Sequence, residues 1–478
     1  MYLDGPKRLR LGTAANRLTR WLAVLFPISI AGSVFGQNYL TPPAGFQGAP
    51  AVPSMGNVNT TPSPENGQPN TQIGDQLNAA ANGQSNAQSN DKTSLQAEGE
   101  PSVSAPLTTS MANLTQWGAL HLHERASYQF LYSTGIHSQP GRSEDTFTHT
   151  LTPGLTLDLG PHVTLDYSPS IRFFSERNFH NTVDHAASLV GSLQYGDWSF
   201  GLSQLFSATD EPMVQTSGQT QQTTFTTGLS AGYHLSDKMT LQTGAGVTLM
   251  YLGSSTNSFV GSGTNTQPSQ LSDSQTYYAS ENLDYAFNER LSTGVGITAD
   301  YAEQASGFRI VDQDLHGNLA WHPGDKLNAA ITVGVQHRQI LTAGSSGSWN
   351  PTFSANLGYH LFDQTTLSIY GNRSSAVSLF QDELSDNTTA GVGIQQRLLG
   401  KFQLNLGFGY TKADYKNTLA NLATSRNDES TSYSAGLSFP FLTHCSFGTF
   451  YQYTQNLSTT TGFGYSSSQV GVTLSWSH

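Results

Sequence analysis

The chain has 478 residues and a formal net charge of −12 at pH 7, with charged residues making up only 11% of it. Soluble domains carry about 25% charged residues, so a soluble surface is poorly supported. An acidic chain is also a poor nucleic-acid binder, and the single Cys445 excludes an intramolecular disulfide framework.

The N-terminus predicts a secretory signal peptide over residues 1–36. A basic region that includes Lys7 and Arg10 precedes the apolar run Trp21–Ile30, and cleavage is expected near Gly36. A membrane anchor is the alternative, but the apolar run is short and ends in small residues. We therefore expect an exported protein.

Residues 37–112 have a different composition, dominated by Pro, Gly, Asn, Gln, Ser, Thr and Ala, as in Asn70–Asn90. Such a segment buries too little apolar surface to offset the entropy lost on ordering. We predict a disordered low-complexity extension in the periplasm. A tether that binds peptidoglycan or a protein partner is the functional alternative.

Residues 113–478 predict an all-β fold. In Lys401–Asp414 every second residue is apolar or aromatic, from Phe402 to Tyr410, and the residues between are small or polar. Eighteen segments of this kind fit a transmembrane antiparallel up-and-down β-barrel, whose outer face meets lipid. The predicted strands are 125–136, 146–159, 163–175, 184–195, 197–208, 221–235, 238–251, 274–287, 290–302, 309–322, 326–340, 349–361, 364–376, 386–398, 401–413, 430–441, 444–456 and 465–476.

The connections between these strands alternate between short and long, which favours a barrel over a soluble sandwich. The long connections include 209–220, 252–273 and 414–429, and the longest, 252–273, is the predicted constriction loop. With short turns in the periplasm, both chain ends also lie there. The tight turns are predicted at Gly160–His162, Gly196, Ser236–Asp237, Asn288–Glu289, Pro323–Asp325, Phe362–Asp363, Leu399–Gly400 and Leu442–Thr443.

Aromatic residues cluster near both ends of the predicted strands, as the two girdles of a membrane barrel do. The set near the short turns is Tyr195, Trp198, Tyr233, Tyr285, Phe287, Trp321, Phe402, Phe439 and Trp476. The set near the long loops is Tyr132, Phe173, Tyr251, Tyr277, Tyr301, Phe353, Tyr370, Tyr410, Tyr433 and Tyr453.

The last strand carries a second indication of an outer-membrane protein. Gln469, Gly471, Leu474 and Trp476 form the pattern polar-x-Gly-x-x-apolar-x-aromatic. This resembles the assembly signal that the barrel assembly machinery reads in outer-membrane proteins. Many members of that class end on the aromatic residue, whereas two residues follow it here.

No catalytic constellation is visible in the sequence, so we expect neither an enzyme nor a cofactor. His121 and His123 would share one face of a strand, but no third metal ligand accompanies them. The Gly-x-Gly pairs lie within strands and lack the helix that a phosphate loop requires. We therefore predict no metal site.

Charged residues on the predicted inner face are the candidate site. Strand parity puts seven of them toward the lumen among Asn, Gln, Ser and Thr, where they tune passage or pair as structural ion pairs. Glu281 falls on the lipid face by the same parity, which suggests a bulge or an incorrect register. The seven lumen residues are Asp158, Asp166, Arg172, Asp284, Asp300, Arg338 and Arg397.

A family resemblance refines the expected function. Glu144–Asp210 joins an acidic loop, the run Leu151–Leu157 and a strand with Tyr167 and Phe173. It resembles the β-barrel porin family associated with exopolysaccharide export, which implies secretion of a polysaccharide through the barrel.

The leading prediction remains a channel in the Gram-negative outer membrane for passive or guided passage of small hydrophilic solutes, as a general or solute-selective porin. The alternatives are an exopolysaccharide-secretion porin and a structural outer-membrane anchor without channel activity. The expected partners are outer-membrane lipid, the assembly machinery and a polysaccharide or hydrophilic solute, with no nucleic acid.

Overall fold

The computed structural model describes residues 116–117, 120–139, 141–160, 162–213, 215–253, 271–342, 347–417 and 426–477. The predicted signal peptide and the predicted extension over 37–112 lie outside these residues, and both stay predictions. None of the described segments is a helix of the length and apolarity needed to cross a membrane.

Within the described residues the fold is a closed antiparallel β-barrel. The strands are β1 Gln116–Trp117, β2 Leu120–Gln139, β3 Arg142–Leu159, β4 Val163–Phe174, β5 Thr182–Tyr195, β6 Trp198–Met213, β7 Gly218–Ser236, β8 Met239–Leu252, β9 Ser274–Asn288, β10 Leu291–Gln304, β11 Arg309–Gly324, β12 Leu327–Ile340, β13 Ser348–Phe362, β14 Thr365–Val377, β15 Glu383–Leu398, β16 Phe402–Asn417, β17 Arg426–Leu442, β18 Cys445–Ser458 and β19 Tyr465–Ser477. Each strand pairs with the next, and β19 pairs back with β2. The wall is thus the ring β2–β19, and the predicted barrel of about eighteen strands is confirmed.

The side chains alternate between the two faces of this wall. On β10, Val295 and Ile297 are 62% and 46% exposed, whereas Thr298 on the other face is 6% exposed. Exposed aliphatic and aromatic residues thus cover the outer face, and polar residues are buried on the inner face. This distribution is the reverse of that in a soluble domain and fits a wall that faces lipid.

The two rims of the barrel differ in their connections. At the turn rim, two or three residues join consecutive strands, and the eight tight turns predicted from sequence fall there to within two residues. Gly160 and Gly196 at this rim have φ values of 73° and 59°, a conformation that glycine adopts without steric cost. The opposite rim, here the loop rim, carries most of the longer connections.

Two of the predicted long connections were wrong. Strand β6 runs to Met213 and β7 begins at Gly218, so most of 209–220 is a paired hairpin, and β16 and β17 likewise extend into 414–429. These extensions consist mostly of polar residues, so the apolar alternation stops while the backbone ladder continues. Residues 254–270 lie outside the described part of the chain, so the constriction role of 252–273 stays a prediction.

Two individual residues also depart from expectation. Glu281 lies on the outer face, directly opposite Thr243 and Ile297, with no bulge at that point. Tyr370 points to the inner face, because a Cβ placed on Gly391 would come within 2.3 Å of its ring. The ring fills the space above that glycine, so Tyr370 belongs to neither girdle.

Other aromatic residues pack in pairs on the outer face near the rims. The ring centroids of Trp198 and Tyr233 are 4.6 Å apart near the turn rim. Those of Tyr433 and Tyr453 are 6.4 Å apart, nearer the loop rim. Tyrosine and tryptophan at these two levels suit the interfaces of a membrane, where an apolar ring and a polar edge are both satisfied.

Candidate functional site

The β6–β7 hairpin reaches across the barrel at the loop rim. Its tip residues Gln215, Thr216 and Ser217 are 5%, 1% and 2% exposed. Gln215 Nε2 donates to Ser378 Oγ at 2.6 Å, although Ser378 follows β14 on the nearly opposite side of the ring. Ser217 Oγ donates to the carbonyl oxygen of Gly462 at 3.0 Å. The tip therefore links distant parts of the rim.

The β14–β15 hairpin bends into the same opening. Val377 and Leu384 continue the parity of outer-face residues, yet each is only 5% exposed. They pack against Ala302, Phe308 and Ile310 from the β10–β11 hairpin. Because Ala302 and Ile310 point inward, the outer side of the β14–β15 hairpin must lie against the inner side of the wall.

A second apolar cluster joins the two bent hairpins. Met213 at the end of β6 and Met250 on β8 pack against Leu379, which is 1% exposed in the β14–β15 tip. Gln304 Nε2 then donates to the carbonyl oxygens of Ser378 and Phe380, at 3.0 and 3.1 Å. The tip is thus held by apolar packing and by hydrogen bonds from the Gln304 side chain to its backbone carbonyl oxygens.

Arg426 connects these hairpins to β17. Its guanidinium carbon lies 3.8 Å from the ring centroid of Tyr415, 4.4 Å from that of Phe463 and 5.7 Å from that of Phe380. Its Nη1 donates to the carbonyl oxygen of Gln215 at 3.2 Å. The mouth cluster is defined here as Gln215–Ser217, Ser378–Asp382, Tyr415, Arg426 and Phe463. In this cluster, connections from different sides of the ring pack together in the barrel opening.

Three of the predicted lumen charges have partners on neighbouring strands. Asp166 makes a bidentate pair with Arg125, at 2.6 and 2.7 Å. Arg172 pairs with Asp184 and Glu211 near the loop rim.

The third, Asp158, lies nearer the turn rim. It accepts a hydrogen bond from Thr164 at 2.8 Å and lies 3.4 Å from His123 Nε2. His123 also faces inward. The Asp158 carboxylate thus has two partners, the neutral hydroxyl of Thr164 and the ionisable imidazole of His123.

The other four predicted charges lie in different surroundings. Arg338 Nη2 lies 2.7 Å from Asp312 Oδ2, and Asp386 is 3.8 Å away from its Nη1. Asp284 accepts hydrogen bonds from Asn282 and Asn318, all at 3.1 Å.

Arg397, by contrast, is exposed at the turn rim, where its Nε donates to the Gly400 carbonyl oxygen at 3.0 Å. It lies apart from the other charges. The seven residues therefore do not form one cluster.

The structure brings Asp300 and Arg338 into one row across four strands. Tyr278 on β9, Asp300 on β10, Asp312 on β11 and Arg338 on β12 are successive cross-strand neighbours. Together with Asp314 in the second row and Asp284 in the fourth, they form what we term the acidic patch. The patch lies directly beneath the apolar packing of the β14–β15 hairpin, since Ala302 of that packing is two residues beyond Asp300.

Sequence analysis missed several of these residues. Asp312, Asp314 and His316 alternate on β11, so strand parity could have placed them beside Asp300. Arg426 gave no such signal, because it lies beyond the apolar part of its strand. Among the described residues, no group of three or more acidic, histidine or cysteine side chains has metal-binding geometry.

The predicted assembly-signal residues lie at the closing seam of the barrel. Gln469 and Gly471 face inward on β19, opposite Ser133 and Leu131 of β2. Leu474 is 44% exposed on the outer face, and Trp476 lies opposite Ala126. Recognition of this strand by the assembly machinery stays a prediction.

The fold and the site together define a closed β-barrel whose loop rim is occupied by its own hairpins. No protein family and no curated protein matches the sequence. Three crystal structures illustrate the structural similarity, namely Acinetobacter baumannii OccAB4 (11% identity, 75% of this chain and 98% of that chain, TM-score 0.41), Pseudomonas aeruginosa OpdO (10%, 75%, 97%, 0.41) and Pseudomonas aeruginosa OccK7 (OpdD) (15%, 76%, 99%, 0.39). At such low scores this likeness carries no argument about function.

Proposed function

We propose that this protein is an outer-membrane channel for small hydrophilic solutes. The observation that carries the proposal is the barrel wall itself, closed by the β19–β2 pairing, apolar outside and polar inside. Such a wall is stable in lipid because strand-to-strand pairing around the closed ring satisfies its backbone groups and leaves no open sheet edge. A ring of eighteen strands is also of porin size, which allows a water-filled lumen.

The mouth cluster adds a gate to this channel. Hairpins that meet across the loop rim narrow the path, and solutes pass when the tips move apart. Gln215 and Ser378 make the contact across the opening, and Arg426 holds both tips. In our proposal, five of the predicted inner-face charges line the path below this gate, and the other two, Asp158 and Arg397, lie near the turn rim apart from it. The five are Asp166, Arg172, Asp284, Asp300 and Arg338.

Single-channel recording tests the proposal. The refolded full-length chain is placed in a planar bilayer in potassium chloride, beside the variant Arg426→Ala. We expect brief, infrequent openings from the wild type and longer openings from the variant. A correctly folded barrel that stays silent in both forms would contradict the channel.

A structural anchor without channel activity is the second candidate, and the packed mouth cluster is the observation that favours it. The anchor predicts silence in both forms and co-sedimentation of the chain with cell-wall material. For exopolysaccharide secretion, the support is the resemblance of Glu144–Asp210. That function predicts that a polysaccharide chain, and not only small ions, crosses the Arg426→Ala variant.

A further inference from the structure

We propose that the inner wall of β9–β12 holds a binding site for the ammonium groups of a cationic solute. The inference rests on the proposed channel function and names a solute class for it. The site consists of the acidic patch and the buried polar side chains Asn282, Thr298 and Gln336 around it.

The charge of the patch favours a cation. Asp300 and Asp312 share their row with one guanidinium, that of Arg338, which is already paired with Asp312 at 2.7 Å, while Asp314 lies in the next row and Asp284 two rows further. Asp300 has no hydrogen bond or ion pair to any described residue, although Asp312 lies directly opposite it. Like charges placed opposite each other on a sheet repel, so a cation between them is stabilising.

Unpartnered oxygens point to the same ligand. Asn282 Oδ1, Thr298 Oγ1 and Gln336 Oε1 lack hydrogen-bond partners among the described residues. Their side chains are only 2%, 6% and 7% exposed, respectively. Buried polar atoms are ordinarily hydrogen-bonded, so three unpartnered oxygens in adjoining rows call for a further partner.

These unpartnered oxygens are suited to a ligand that donates hydrogen bonds. Asn282 Nδ2 donates to both carboxylate oxygens of Asp284 at 3.1 Å, which fixes the amide orientation and leaves its carbonyl oxygen as acceptor. Gln336 likewise offers its carbonyl oxygen, on the strand that also carries Arg338. Ammonium groups donate three hydrogen bonds and accept none, which matches this set of acceptors.

The geometry favours an organic cation over a directly coordinated metal. No group of three or more ligating acidic, histidine or cysteine side chains in the described residues has metal-binding geometry. The patch instead extends over four rows, with Asp300 in the first, Asp314 in the second and Asp284 in the fourth. A flexible solute with separated ammonium groups spans such rows and leaves each carboxylate its present hydrogen bonds.

Isothermal titration of the folded full-length chain with spermidine tests this site. Asp300→Asn removes the unpaired carboxylate and keeps its shape, and Gln336→Leu removes an unpartnered acceptor oxygen. Asp158→Asn is the matched control, since that inner-face carboxylate lies nearer the turn rim with its own partners. Heat-dependent electrophoretic mobility verifies that each variant is folded.

We expect wild type and Asp158→Asn to bind spermidine alike and Asp300→Asn to bind it roughly tenfold more weakly, the effect of losing one charge-assisted hydrogen bond. No saturable binding to wild type, or equal binding by Asp300→Asn, would overturn the site and mean that water alone occupies it. The two proposals fail separately. A conducting barrel that ignores spermidine refutes only the site, and a silent barrel that binds spermidine refutes only the channel.

Discussion

Asp300 on β10 and Asp312 on β11 are directly opposed across one antiparallel pair, and both face the inside of the barrel. Only Asp312 has a cationic partner within ion-pair distance, namely Arg338. A sheet built only for stability would not place two carboxylates in this relation. The opposed pair therefore carries a stability cost, which the proposed cation site would explain.

The first prediction concerns that cost. Asp300→Asn removes the repulsion without changing the side-chain shape, so the free energy of unfolding should rise by about 0.5–1 kcal/mol. Urea-induced unfolding in lipid vesicles measures the change. Asp158→Asn should be neutral or slightly destabilising, because that carboxylate is partnered. An equal rise in the free energy of unfolding of both variants would mean that the effect comes from the change in net charge alone.

The second prediction concerns the planar stack around Arg426. Arg426→Lys keeps the charge but loses the flat contact with Tyr415 and the hydrogen-bonding fork. If the stack holds the hairpin tips, this variant should open almost as often as Arg426→Ala in single-channel recordings. Wild-type behaviour from the lysine variant would show that charge alone holds the tips.

The third prediction concerns Glu281, which lies on the outer face with no hydrogen bond or ion pair to any described residue. A carboxylate facing hydrocarbon is costly, so Glu281→Leu should stabilise the folded barrel in lipid vesicles by roughly 1–2 kcal/mol. Glu303→Leu is the matched control, because Glu303 shares the outer face but pairs with Arg309 at 2.8 Å. Loss of stability in Glu281→Leu would point instead to a polar partner at this surface.

The fourth prediction concerns the closing seam. A Cβ on Gly471 would lie 2.5 Å from Phe450 Cζ and 2.9 Å from the Phe130 carbonyl oxygen. Gly471→Ala should therefore cost about 1–3 kcal/mol through overpacking, measured by unfolding of the refolded protein. Gly448→Ala provides the control, since its nearest neighbours would be 3.7 Å away. Because refolding in vitro needs no assembly machinery, this effect is separate from signal recognition.

The barrel wall could be predicted from the sequence because the signals that define it lie within single strands and turns. Alternation from Phe402 to Tyr410 fixes which face meets lipid, and short turns fix where each strand ends. Those signals gave the strand number and the eight short turns. They failed where apolar alternation stops, as beyond Ala208 on β6, because the ladder there continues with mostly polar residues.

The mouth could not be predicted, because its contacts join residues far apart in the chain. Gln215 and Ser378 meet only after the ring has closed, and neither residue type signals the contact. The acidic patch could be predicted from the sequence only in part. Parity alone placed Asp284, Asp300 and Arg338 inward, but only the register of β10–β12 shows that Asp300 shares its row with Asp312 and Arg338.

The packed tip of the β6–β7 hairpin also has a practical consequence for labelling this protein. Experimenters usually insert affinity tags or fluorophores where a barrel has its longest hairpins, on the assumption that such tips project into solvent. Thr216, at 1% exposed, has no room for an insertion. A label at the turn rim, beside the 77% exposed Tyr195, would leave the native arrangement intact.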